Sequence, residues 1–189
     1  YRYCPDGRVS GHAIGYIGRI NQEEERTLEE SDDARNYRGT THIGKLGIEQ
    51  SYESVLHGTS GSEQMEITSS GQVVRSLASQ PAVPGRNVVL SIDIRLQKMV
   101  EDLFGKRRGM LVAIDPRDGQ VLAMVSKPTF DGNLFVDGID QENWKALNES
   151  IDKPLLNRAM RGTYPTGSTY KPFMGLAGLE TGKRTPSTI

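Results

Sequence analysis

Apolar positions recur along this chain with more than one period, and the period changes mark the predicted elements. From Ala13 to Ile20 they alternate loosely, with Ile14, Tyr16, Gly18 and Ile20 on one side, which predicts a short strand. Asn21 followed three residues later by Glu24 has the form of a capping box and predicts a helix. Its acidic residues Glu23, Glu24, Glu25, Glu29 and Glu30 read as a solvated face around Leu28. Ile48, Tyr52, Val55 and Leu56 stand at helical spacing and predict a helix over about 47–57, closed by Gly58. Two extended arms, 64–68 and 72–77, flank Ser69-Ser70-Gly71 and predict a hairpin.

The stretch Gln80-Pro-Ala-Val-Pro-Gly85 carries two prolines and a glycine and is hostile to either regular structure, so a linker is expected there. It divides the chain into regions 1–85 and 86–189, with the first expected to form an elongated unit separate from the second. Beyond it, 87–94 reads as a strand, and Asp93 as the N-cap of a helix bearing Leu96, Met99, Val100, Leu103 and Phe104 on one face and ending at Gly105. Two apolar runs, 110–114 and 120–125, flank the turn sequence Asp115-Pro-Arg-Asp-Gly119. They predict an antiparallel pair buried on both faces. Asp140 is placed to cap a short helix with Trp144 and Leu147, and Ser168 to open a last helix carrying Phe173, Met174, Leu176, Ala177 and Leu179. Strands and helices so mixed give an α+β fold class.

Composition narrows the function. With 189 residues, 35% of them hydrophobic, the chain can bury a core without disulfide or metal staples. Lys and Arg number 23 against 24 Asp and Glu, so there is no electrostatic footprint for nucleic acid or for an anionic membrane surface, and no nucleic-acid partner is expected. No apolar run is long enough for a membrane span or a signal peptide, so any anchor of a parent protein is expected to be absent from this stretch. The single Cys4 cannot form an internal disulfide, and His12, His42 and His57 are spaced unlike any standard metal site. No metal and no cofactor are expected.

The chemistry candidate is Tyr164-Pro-Thr-Gly-Ser168-Thr-Tyr-Lys171-Pro-Phe, a Ser-x-x-Lys where loop becomes helix. Residues three apart on a helix share a face, so the Lys171 amine can reach the Ser168 hydroxyl and serve as its base. The first amides of a helix lack intrahelical partners, so the Ser168 N–H can point at a developing oxyanion, while Gly167 lets a substrate approach closely. Pro172 falls early enough to cost at most one helical hydrogen bond. Alone the pattern is unspecific, and Ser150-Ile-Asp-Lys153 matches it too. That second match sits in a polar stretch with no amphipathic helix after it, and reads as a decoy. Tyr164, Trp144 and Tyr170 could line a groove, though packing or loop support is the simpler reading.

The surroundings of Ser168 resemble the class B penicillin-binding proteins. Three blocks carry the resemblance: Ile43-Gly-Lys-Leu-Gly-Ile-Glu-Gln-Ser-Tyr-Glu53 with Leu56-His-Gly58; Leu90-Ser-Ile-Asp-Ile-Arg-Leu-Gln97 with the run from Ala113 to Ser126; and Asn157-Arg-Ala159 through Pro172. Asp131-Gly-Asn-Leu-Phe-Val-Asp-Gly-Ile139 is similar to elongation-type rather than division-type members. Thr166 and Gly132 stand where the family commonly has proline, a departure expected to loosen two loops. The family's Ser-x-Asn and Lys-[Ser/Thr]-Gly motifs do not occur, so the chain is expected to be a fragment.

The resemblance implies an elongated pedestal over 1–85 and the first part of a transpeptidase domain over 86–189. It implies Ser168 as nucleophile and Lys171 as general base in the cross-linking of peptidoglycan stem peptides ending in D-Ala-D-Ala, with β-lactams as inhibitors. It also implies membrane proteins of the elongation machinery as partners, and a place at the periplasmic face of the bacterial inner membrane. From another class comes the reading that region 1–85 is chiefly a docking module and that this stretch alone is not catalytic. A serine β-lactamase would share Ser-x-x-Lys but not the blocks upstream.

Overall fold

The computed structural model describes residues 3–5 and 7–188. Helix α1 (Gly11–Ile14) leads into strand β1 (Ile17–Arg19), which pairs antiparallel with β2 (His42–Gly44), Ile17 opposite Gly44 and Arg19 opposite His42. The strand expected from Ala13 is therefore shorter and is preceded by a helical turn, with Gly15 at φ 80 between the two. Between β1 and β2 lies α2 (Gln22–Glu29), whose capping box is fully formed: Asn21 Oδ1 accepts from the Glu24 amide and Glu24 returns the bond to the Asn21 amide, both at 2.9 Å. None of its residues is buried, as a solvated face requires.

The helix expected over 47–57 is broken at Tyr52 (φ −113, ψ 21) into α3 (Gly47–Ser51) and α4 (Glu53–Leu56). Just past the break, Glu53 turns inward and its carboxylate accepts from the Gly44 amide at 2.9 Å, tying α4 to β2. The predicted hairpin is present as β3 (Ser62–Ile67) and β4 (Val73–Gln80), with irregularities at Gln64/Met65 and Glu66/Ile67, and every one of its strand residues is exposed. The linker expected at 80–85 is anchored rather than free. Val83 and Thr59 exchange backbone bonds at 2.8 and 2.9 Å, and the backbone at Gly85 approaches the Leu56 carbonyl too closely for any Cβ.

No strand forms over 87–94. That segment touches its neighbour at two points, Asp93 N–H donating to the Leu122 carbonyl (2.9 Å) and Ser91 Oγ to the Val121 carbonyl (2.8 Å), too few for a ladder. Asp93 then caps α5 (Ile94–Phe104), as expected. The backbone amides of Arg95 and Asn143 hold their respective caps, Asp93 and Asp140, below the usual carboxylate range. The expected apolar stripe is only partly buried: Val100 is buried and Leu96 and Phe104 are half-buried, but Met99 and Leu103 are 54% and 65% exposed, and the polar Gln97 and Glu101 are buried beside Val100.

The reason lies in β5 (Gly109–Ile114) and β6 (Val121–Lys127), an antiparallel hairpin on which α5 lies. Gln97 is fully buried; its Nε2 donates to the Met124 carbonyl (2.9 Å) and its Oε1 accepts from the Met124 amide (2.8 Å), so the side-chain amide stands in for a neighbouring strand. Asn133 does the same for Cys4, accepting from its amide (3.1 Å) and donating to its carbonyl (2.9 Å). The hairpin is buried on one face only. Ala123 and Val125 are sealed, but Met110, Val112 and Ile114 alternate outward, and β5 has no second strand partner among the described residues.

After β6 come a 3-10 turn at Gly132–Phe135, helix α6 (Gln141–Asn148) capped by Asp140, helix α7 (Arg158–Arg161) capped by Asn157, a 3-10 turn at Gly167–Tyr170 and helix α8 (Lys171–Glu180). Gly132 is not a loosened position: its amide donates to the Gly7 carbonyl at 3.2 Å, a bond proline could not make. Contacts also cross residue 85. The Ser10 amide donates to Glu101 (3.0 Å), Asn157 Nδ2 donates to the His12 carbonyl (3.4 Å), and Phe130 meets both His12 and Tyr16 edge-on.

Candidate active site

Ser168 lies in the 3-10 turn Gly167–Tyr170, not at the start of the α-helix, which begins at Lys171. The difference works in favour of the pairing. A 3-10 turn has three residues per turn, so positions i and i+3 eclipse, and Ser168 and Lys171 sit on one side of it. Gly167 takes φ 55, a left-handed conformation costly for any residue with a Cβ, and nothing lies within 4 Å of where that Cβ would be. Among the described residues the Ser168 amide has no acceptor, while its carbonyl accepts from the Lys171 amide. The Ser168 hydroxyl and the Lys171 amine are exposed and make no hydrogen bond with each other or with any described side chain. Ser168 and Lys171 thus share a side without being joined by a hydrogen bond.

The second Ser-x-x-Lys is built differently. Residues 150–153 form a turn in which Ser150 Oγ accepts from the Asp152 amide (3.2 Å) and Lys153 adopts φ 44. Its hydroxyl is engaged by the backbone and no helix begins there. Helix α8 presents Phe173, Met174, Leu176 and Leu179 at 43–67% exposure, with Tyr170 stacked 6.0 Å from Phe173 and Gly182 in the left-handed conformation just past the helix end. Trp144 and Tyr164 are also largely exposed.

The polar node upstream of the turn was not anticipated. Arg158, only 6% exposed, donates from its guanidinium to the Lys153 and Asp152 carbonyls, and its amide donates to Ser126 Oγ (2.9 Å) on β6. One residue thereby ties the 150–156 loop, β6 and the entrance to α7. The available signal was Asn157-Arg158 itself, a capping residue followed by a cation where the chain turns polar. An open cleft lies between the two halves of the chain, walled by Ala13, Ile48, Leu90, Met124, Leu156 and Arg161, away from Ser168. Among the described residues no group of three or more His, Cys, Asp or Glu is placed to hold a metal ion, and no helix is long and apolar enough to cross a membrane.

Two family models match in order. Residues 1–90 match the penicillin-binding protein dimerisation domain and residues 109–189 the penicillin-binding protein transpeptidase domain. The chain belongs to the penicillin-binding protein family. Among its relatives are proteins named peptidoglycan D,D-transpeptidase MrdA: that of Haemophilus influenzae is 45% identical over 96% of this chain and 28% of the relative, and that of Escherichia coli K12 43% identical over 99% and 30%. The chain therefore spans less than a third of these curated relatives. Among solved structures, Pseudomonas aeruginosa PBP2 in complex with WCK 5153 is similar at TM-score 0.81 and 47% identity, covering 99% of this chain and 37% of that one. The complex between PBP2 and MreC from Helicobacter pylori is similar at TM-score 0.86 and 32% identity, covering 98% and 34%. The mixed α+β architecture and the elongation-type likeness both agree with these neighbours.

Proposed function

We propose that this chain is part of a peptidoglycan D,D-transpeptidase of the elongation type, with Ser168 as nucleophile and Lys171 as general base. The carrying observation is the glycine-led 3-10 turn that sets the two side chains on one side and leaves the Ser168 amide without an acceptor. In this reading the Ser168 hydroxyl attacks the carbonyl between the two D-alanines of a stem peptide while Lys171 takes its proton, and the Ser168 N–H receives the developing oxyanion. The proton passes to the departing D-alanine. An amine of a neighbouring stem peptide then attacks the ester, forming the cross-link and freeing Ser168. A β-lactam enters the same acylation step and remains on the serine.

The division of labour is part of the proposal: a pedestal over 1–85 and the start of a catalytic domain from 86, supported by family models that end at 90 and resume at 109. So are a periplasmic location at the inner membrane and docking of an elongation-machinery membrane protein, the docking supported by the likeness to a PBP2 in complex with MreC. Labelling a full-length enzyme that carries this stretch with a fluorescent penicillin tests the chemistry. Ser168→Ala should abolish the covalent adduct, and Lys171→Ala should slow its formation by roughly 10²- to 10⁴-fold. An adduct that survives Ser168→Ala removes the assignment. Substitutions over 45–56 should weaken partner binding and leave acylation unchanged if the pedestal is the docking module.

A further inference from the structure

His12 is 4% exposed, its ring meets Phe130 edge-on with centroids 4.9 Å apart, and neither ring nitrogen makes a well-formed hydrogen bond, although the carbonyls of Pro154 and Pro128 act on the ring. It occupies the crossing of the two halves of the chain, with α1 held to α5 through Ser10 and Glu101 and to the cap of α7 through Asn157. We propose that His12 is a pH-sensitive latch, protonation of its ring driving α1 off its seat against Phe130 and α7 and so loosening the joint between the regions before and after residue 85.

The charges on the surrounding elements decide the direction. Glu101 on α5 is engaged by the Ser10 amide and by Gln97, Lys127 ends β6, and Asp152 in the following loop pairs with Arg108 at 3.4 Å. Lys153 neighbours Asp152, and Arg158 begins α7. Of these, Arg158 acts on the ring, and its own partners are the neutral carbonyls of Asp152 and Lys153 rather than a carboxylate, so its charge is not cancelled locally. Burial lowers the proton affinity of His12 most; Arg158 adds to this, and the carbonyls of Pro154 and Pro128 oppose it without reversing it. A seated ring thus binds a proton less readily than a solvated one. The seat holds in full above the ordinary imidazole value near 6.5 and weakens as pH falls from there to the depressed value, below which no further loss occurs. Within that window one proton shifts the equilibrium by up to tenfold per pH unit.

Only three histidines occur, so their ring signals can be followed by NMR and assigned with His42→Gln and His57→Gln. The His12 signal should titrate below 6.5. Amide exchange over residues 11–15, corrected for its intrinsic pH dependence, should accelerate by up to tenfold per pH unit below about 6.5. His12→Phe, which keeps an aromatic ring against Phe130, should abolish that acceleration, and Arg158→Gln should raise the His12 midpoint. A midpoint at or above 6.5, exchange that ignores pH in the native protein, or acceleration that persists in His12→Phe would each overturn the latch. Should His12→Phe fail to fold, the native titration and exchange still decide.

Discussion

The chain contains two antiparallel hairpins of similar size with opposite fates. In β3–β4 every strand residue is exposed, including Met65 and Ile67, whereas in β5–β6 the positions Ala123 and Val125 are sealed from solvent. Both are antiparallel ladders, β3–β4 with two register irregularities and β5–β6 with one, and the difference in burial comes from what lies against them. An isolated hairpin is marginal in water because it has only one layer. Helix α5 supplies the second layer to β6, fixed there by the Gln97 clamp on Met124. Among the described residues nothing comparable reaches β3–β4, whose strands mix Glu63, Glu66 and Arg75 with apolar positions and join Arg75 to Glu66 across the ribbon at 2.6 Å. What makes one hairpin a core and the other a ribbon is thus a buried polar side chain as much as a hydrophobic run.

Removing the clamp should give the largest effect. Gln97→Ala deletes two bonds to one backbone residue and leaves the Met124 groups and Glu101 short of partners, a loss of about 3 kcal/mol in urea unfolding. The matching change in the ribbon, Gln64→Ala, should stay within about 0.5 kcal/mol. Equal costs for the two would mean that α5 does not distinguish the hairpins. Next in size, Ala123→Leu forces a larger side chain into a closed space and should cost about 1 to 3 kcal/mol. Ala78→Leu on the exposed β4 should be close to neutral by the same measurement.

The same contrast explains what could be read from the sequence. Elements declared locally were legible: the Asn21 capping box, the Asp93 and Asp140 caps and both hairpin turns depend on neighbours in the chain. The Ser168–Lys171 turn was legible for that reason too, since spacing alone puts both on one side. What spacing could not show was the tertiary partner. The stripe of Leu96, Met99, Val100, Leu103 and Phe104 looked like the buried face of α5, yet within it only Val100 is buried, and Gln97 and Glu101 are buried beside it because β6 and Ser10 offer backbone groups that polar side chains satisfy. The expected 87–94 strand failed similarly: its residues have strand character, but only Ser91 and Asp93 bond to the backbone of β6 or its approach. Arg158 was invisible as a node because its partners are carbonyls in a loop whose path no periodicity encodes.

The smallest expected effect sharpens the comparison most. Gly71 and Gly119 turn the two hairpins at φ 83 and φ 77, and at neither is anything within 4 Å of an added Cβ. Alanine at either position therefore meets no clash and incurs the same left-handed backbone strain, about 1 kcal/mol. The consequence should nevertheless differ. The turn before β6 belongs to the unit that closes over Ala123 and Val125, so strain at Gly119 is released only when that unit unfolds, and Gly119→Ala should lower global stability by the full amount. The β3–β4 ribbon can open while the rest stays folded, because opening exposes almost nothing that was buried. Gly71→Ala should then leave the urea midpoint nearly unchanged while amide exchange over 62–80 speeds up by roughly fivefold, the equivalent of the same 1 kcal/mol. If Gly71→Ala instead lowers the global midpoint as far as Gly119→Ala does, the ribbon unfolds together with the core, and its exposure does not make it an independent unit.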